Sequence, residues 1–294
     1  MADRLIPYFP GCTLKQKAQG FDRSARDVMA ALGLELRELE AWNCCGATFP
    51  LSTENLLELA APARVLTSGR AEGPALAVAC ATCYNVLKRT NLVLRGDEDK
   101  RQKINLFVEA DYAGDLEVLH LIELIERQGG PERVRQALVR PLAGLKVAAY
   151  YGCLLLRPPD EVGFDDPEHP VLLDGLFAAA GATPVAYPHR GECCGGYVAV
   201  RSEEAAVAAS YRVLSAAEEA GADVMVTSCP LCQFNLDRRQ SAMAQTHAGF
   251  RPLPVLYFTQ LLGLALGCDG AGYLLERHYV DPRPLLKERG LLAV

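Results

Sequence analysis

The chain has 294 residues, half of them hydrophobic and 22% charged, with a formal charge of −6. That length suits two domains or one large core and the composition excludes disorder; with no dense Lys/Arg stripe, a nucleic-acid surface is excluded as well. No apolar run reaches the ~18–20 residues of a membrane span, and Met1-Ala2-Asp3-Arg4 opens no signal peptide, so a cytoplasmic location is expected. In a reducing compartment eleven cysteines point to metal binding or redox chemistry rather than to disulfides.

Leu5–Phe9 reads as a short strand ending at Pro10-Gly11-Cys12, and Gln19–Leu32 as a helix stopped by Gly33. Leu34–Leu39 alternates like a half-exposed strand and runs into Cys44-Cys45-Gly46. Glu54–Gly69 is helical, Pro74–Ala79 is a buried strand that ends at Cys80, and Cys83 precedes a helix over Tyr84–Leu94. Asp97–Asp115 is expected to be a surface excursion and Val118–Arg127 a helix. The boundary falls at Gly129-Gly130-Pro131 and the polar segment up to Pro141 and Gly144, dividing the chain into 1–143 and 144–294.

The second part repeats the plan. Lys146–Tyr151 is a strand ending at Gly152-Cys153, Val171–Ala180 a helix, and Thr183–Tyr187 a strand leading to Cys193-Cys194-Gly195-Gly196. Glu203–Ala220 is a helix, and Asp223–Thr227 a strand that delivers Cys229 and Cys232. Leu253–Gly267 is read as a buried helix and the tail from Gly270 as a surface appendage. Cys44 to Cys193, Cys80 to Cys229 and Cys83 to Cys232 are each 149 residues apart, and Cys12 to Cys153 is 141. Val118–Leu124 echoes Val255–Leu261. An internal duplication follows: an α/β protein of two pseudo-symmetric, Rossmann-like halves, its cysteines at the carboxyl ends of parallel strands, where such sheets bind ligands.

Each half offers five cysteines grouped 1 + 2 + 2, against the four of a closed zinc site. The side chains of adjacent cysteines point apart, so Cys44-Cys45 cannot chelate as a knuckle but can reach two irons of one cluster. The cubane run C-x₂-C-x₂-C-x₃-C-P is absent. Two structural zinc sites are the alternative, and Cys268 has no counterpart in the repeat and reads as a small core residue.

The pattern Cys12…Cys44-Cys45-Gly46…Cys80-x-x-Cys83, repeated as Cys153…Cys193-Cys194-Gly195…Cys229-x-x-Cys232, resembles the duplicated cysteine-rich CCG domain of the heterodisulfide reductase B subunit, over nearly the whole chain. The resemblance implies one noncubane [4Fe-4S] cluster on Cys12, Cys44, Cys45, Cys80 and Cys83, and a second on Cys153, Cys193, Cys194, Cys229 and Cys232. It implies an enzyme component that splits a heterodisulfide, the mixed disulfide of coenzyme M and coenzyme B, between the two clusters. The implied partners are a ferredoxin-like iron–sulfur subunit and a flavin-containing subunit of the same complex. The alternative is an electron-transfer subunit of a fumarate-, succinate-, lactate- or glycolate-linked oxidoreductase.

Gly11, Gly46, Gly152, Gly195 and Gly196 are expected to let backbone approach the clusters or donate N–H to sulfur. His189 is the candidate proton donor to a leaving thiolate, with Tyr8, Tyr151 and Lys15 behind it. Lys15, Lys17, Arg157 and Arg190 sit near cysteine loops, where they could hold an anionic substrate or be ordinary solvated charge.

Overall fold

The computed structural model describes residues 5–47 and 56–292. Two four-stranded parallel sheets organise them. The first contains β1 (Leu5–Phe9), β2 (Glu35–Glu38), β3 (Ala75–Val78) and β4 (Glu117–His120) in the order β2-β1-β3-β4. The second contains β5 (Lys146–Tyr150), β6 (Thr183–Pro184), β7 (Val224–Thr227) and β8 (Val255–Tyr257) in the order β6-β5-β7-β8. The two orders are the same, strand for strand, so the duplication read from the cysteines extends to topology. β7 and most of β3 are buried, which is why both read as unbroken apolar runs. In each sheet the chain leaves the central pair in opposite directions, so the switch point lies between β1 and β3, and again between β5 and β7.

The halves exchange helices. The helix Phe258–Ala265, which follows β8, packs on the helix Gln19–Ala31, which follows β1. There Phe21 stacks on Tyr257 with ring centroids 4.3 Å apart, and Ser24 Oγ lies 2.6 Å from Thr259 Oγ1. In the other sense, Leu172–Ala179 packs on Gly130–Ala137 and Leu121–Arg127. Between these seams, Asn85 in the helix Ala81–Gly96 donates to the carbonyls of Leu154 (2.6 Å) and Arg157 (2.7 Å).

Several expectations need correcting. Residues Glu98–Val108 form a helix rather than a loop: Asp97 caps it by accepting from Lys100 N at 3.0 Å, and Ile104 and Val108 are buried. Val118–His120 belongs to β4, and the helix begins only at Leu121, where His120 N donates to Glu123 Oε2. Likewise Val255–Tyr257 is strand and the helix starts at Phe258, so the echo between these segments is a strand–helix joint with Tyr257 N donating to Gln260 Oε1. Gly130–Ala137 is a helix, with Pro131 in its first turn. The strand expected over Thr183–Tyr187 is only Thr183–Pro184.

The helix expected from Glu54 begins outside the described residues; within them a 3₁₀ turn at Leu56–Leu59 leads into the helix Ala60–Glu72. The tail is no appendage. Tyr273, Leu275, Leu286 and Leu291 are buried, and Asp237 accepts from the backbone N–H of Tyr279 and Val280. No described helix is long and apolar enough to cross a membrane.

Candidate metal centre

The cysteines stand where the topology places a ligand. Cys12 and Cys153 sit in the first turn of the short helices that follow β1 and β5, after Gly11 (φ +76°) and Gly152 (φ +70°) reverse the chain. Cys80 and Cys229 end β3 and β7 in extended conformation and cap the helices Ala81–Gly96 and Pro230–Arg238, whose first turns carry Cys83 and Cys232. The amino ends of those helices favour negative charge, hence thiolate. Cys44-Cys45 and Cys193-Cys194 lie in irregular backbone, each closed by a left-handed glycine, Gly46 (φ +83°) or Gly195 (φ +81°).

Adjacent cysteines reach different further partners. Cys44 Sγ lies 3.6 Å from Cys12 Sγ, while Cys45 Sγ reaches Cys83 Sγ at 3.3 Å. In the second half Cys194 Sγ lies 3.5 Å from Cys232 Sγ, and Cys193 and Cys153 are close enough to share charge. The two sets meet at the centre, where Thr82 Oγ1, between Cys80 and Cys83, lies 3.4 Å from Cys229 Sγ and Ala81 N donates to Ser228 O at 3.1 Å. All ten sulfurs therefore run as one file of neighbours across the molecule. Among the described residues no three His, Cys, Asp or Glu side chains meet around a point suited to a single ion; the sulfurs are arranged as pairs rather than closed tetrahedra.

Charge sharing follows from this crowding. Hydrogen bonds from Cys44 and Cys83 hold Cys45 down to about 4, while Cys44 is pushed up, first by its bond to Cys45 and then by burial. Cys193 is held down to about 2 by Cys153 and Cys194, and Cys194 is raised to about 12, chiefly by Cys193. Such a set cannot lose all its protons alone, because each further thiolate meets a like charge. Metal cations remove that penalty, and soft thiolates are the donors that zinc and iron–sulfur clusters take.

The surroundings fit a bulky inorganic group. A Cβ on Gly11 would lie 3.1 Å from Cys83 Sγ, and one on Gly152 would lie 3.4 Å from Cys232 Sγ, so both glycines keep backbone close to sulfur. Gly195 N donates to Cys193 Sγ at 3.3 Å, and a Cβ on Gly196 would lie 3.5 Å from Cys194 Sγ. All five cysteines of the second set line one small pocket with Gly152, Gly196 and Leu231. The buried hydroxyls of Thr227 and Ser228, next to Cys229, have no partner within the protein.

The other expected residues stand at the margins. His189 Nδ1 lies 2.8 Å from Glu192 Oε1, which orients the imidazole. Tyr8 donates to Asp22 at 3.0 Å and Tyr151 to Asp174 at 2.7 Å, so both hydroxyls are engaged away from sulfur. Lys15 pairs with Glu38, Arg157 with Glu168 and Arg190 with Asp174, while Lys17 lines a cleft with Thr13, Leu231 and Phe234. Cys268 is half-buried just beyond the helix Phe258–Ala265, apart from the sulfur file. Sequence reasoning missed Thr82, whose Oγ1 lies 3.4 Å from Cys229 Sγ, and Asn235, whose Nδ2 lies 3.8 Å from Cys194 Sγ. Asn235 stands one helical turn beyond Cys232, and that spacing was the available signal.

Comparison with known proteins agrees with this geometry. The family model of the cysteine-rich CCG domain matches twice, over residues 6–88 and 147–237. A protein of Wolinella succinogenes named as the membrane anchor subunit of 8-methylmenaquinol:fumarate reductase is 32% identical over 281 residues, covering 95% of this chain and 98% of that one. The B subunit of the ferredoxin:CoB-CoM heterodisulfide reductase of Methanosarcina mazei is 32% identical over 284 residues, covering 94% of each. A solved structure of a hypothetical protein from Helicobacter pylori shares the fold, with a TM-score of 0.74 at 14% identity; the match covers 94% of this chain but only 52% of that one. With both copies matched and both five-cysteine sets intact, the chain belongs to the duplicated cysteine-rich CCG-domain family of the heterodisulfide reductase B subunit, whose members are oxidoreductase subunits.

Proposed function

We propose that the ten cysteines hold two noncubane [4Fe-4S] clusters, one in each of the units 1–143 and 144–294, and that the chain is the disulfide-reducing catalytic subunit of a heterodisulfide-reductase-like complex. The observation that carries this reading is the meeting of two complete cysteine sets where Thr82 Oγ1 lies 3.4 Å from Cys229 Sγ and Ala81 N donates to Ser228 O. Cleaving a disulfide takes two electrons and leaves two thiolates. Two sites side by side can each serve one sulfur of a substrate such as the mixed disulfide of coenzymes M and B.

When bound, the clusters supply one electron each and iron to take up the separated sulfurs. The chain's own residues set the geometry. Cys12, Cys44, Cys45, Cys80 and Cys83 would hold one group and Cys153, Cys193, Cys194, Cys229 and Cys232 the other, with the Ala81–Ser228 hydrogen bond joining the two sets. His189, oriented by Glu192, is the group we assign to protonate a released thiolate. Electrons come from a ferredoxin-like iron–sulfur subunit fed by a flavin-containing subunit, in the cytoplasm.

The similarity to the Wolinella fumarate reductase subunit, over 98% of its length, favours a second reading, in which the chain relays electrons to another subunit. Metal analysis of anaerobically purified protein, followed by assay with a reduced viologen and the heterodisulfide, separates the two. We expect about eight irons and about eight sulfides per chain, and two thiols released for every two electrons consumed. Clusters without thiol release would favour the relay; two zincs without sulfide would overturn both.

A further inference from the structure

We infer that Thr82 tunes the second cysteine set from within the first and makes the two sites unequal in redox behaviour; this rests on the iron–sulfur reading above. Thr82 lies between Cys80 and Cys83 in the first turn of the helix Ala81–Gly96, yet its hydroxyl lies 3.4 Å from Cys229 Sγ of the other half. A metal-bound thiolate can only accept a hydrogen bond, so the hydroxyl donates. Donors to cluster sulfur raise its reduction potential, because they stabilise the extra negative charge of the reduced state.

A second observation points the same way. The hydroxyls of Thr227 and Ser228 are fully buried and have no protein partner, although they adjoin Cys229. The 149-residue offset assigns Leu231, Val78 and Ala79 to the positions of Thr82, Thr227 and Ser228. Asn235, near Cys194 Sγ, has Val86 as its counterpart. These donors gather around the second site, and among the described residues the side-chain hydroxyl recorded against a first-set sulfur is Thr13 Oγ1, at 3.9 Å from exposed Cys12.

The test is a potentiometric titration of the anaerobic full-length protein followed by electron paramagnetic resonance. Signals are assigned to the first or second set by their loss in Cys12→Ala and Cys153→Ala. In Thr82→Val, which keeps side-chain shape, the second-set midpoint should move to lower potential while the first-set midpoint stays; Thr82→Ser should restore it. Ser228→Ala should shift the same signal in the same direction. Equal movement of both midpoints, or of neither, with both clusters present would overturn the inference alone. An unsubstituted protein without iron and sulfide would remove the reading beneath it and the inference together.

Discussion

At the scale of single residues, the sulfur file depends on positions with no side chain at all. Gly11 occupies the left-handed region, where an L-residue costs about 1–2 kcal/mol, and a Cβ there would stand 3.1 Å from Cys83 Sγ. Gly11→Ala should therefore lower stability by about 1–2 kcal/mol in a denaturant titration and, separately, reduce bound metal in the first half. Gly249→Ala is the control, since Gly249 is also left-handed (φ +88°) but has nothing within 4 Å of its would-be Cβ. It should show the backbone penalty with metal content unchanged; equal metal loss in both variants would refute a role for Gly11 beside sulfur. That Cys44 and Cys45 reach different further sulfurs, Cys12 and Cys83, was legible from their adjacency. Thr82 was not legible, because its partner lies 147 residues away in the other half and no spacing encodes that approach.

At the scale of elements, the long helices and buried strands were readable from periodicity, and the errors fell where the pattern is short or masked. Two or three apolar residues cannot display a period, so β4 and β8 merged with the helices that follow them. The charged helix Glu98–Val108 buries only Ile104 and Val108, too narrow a stripe to stand out from a polar loop. The packing of one half's helix on the other's was also invisible, and it has an energetic consequence. Ser24 and Thr259 are fully buried and share a 2.6 Å hydrogen bond across the seam. Ser24→Ala strands the Thr259 hydroxyl and should cost about 1–3 kcal/mol. Ser24→Ala combined with Thr259→Val leaves no orphan, so its loss of stability should be smaller than the sum of the two single losses. Strict additivity in the double-mutant cycle would mean that the bond contributes nothing to the seam.

At the scale of the molecule, the duplication suggests two domains, and the helices packed between the halves predict that they unfold together. Gly20 approaches the tail so closely that a Cβ would fall 2.0 Å from the Tyr273 carbonyl oxygen, and Phe21 lies flat on Tyr257. Cutting the chain between 143 and 144 would expose the face of the helix Gln19–Ala31 that the helix Phe258–Ala265 covers, and would likewise bare Leu172–Ala179. Exposed apolar surface of this kind drives aggregation or loose collapse. Fragments 1–143 and 144–294 expressed apart should therefore bind a hydrophobic dye and lack a sharp thermal transition. Expressed together they should co-purify, because each supplies the helix the other lacks, and only the pair completes the contact between Thr82 and Cys229. The intact chain should unfold in one calorimetric transition, its van't Hoff and calorimetric enthalpies equal. Two separate transitions, or a fragment that folds sharply alone, would show that each half carries its own stability and that the exchanged helices merely rest on one another.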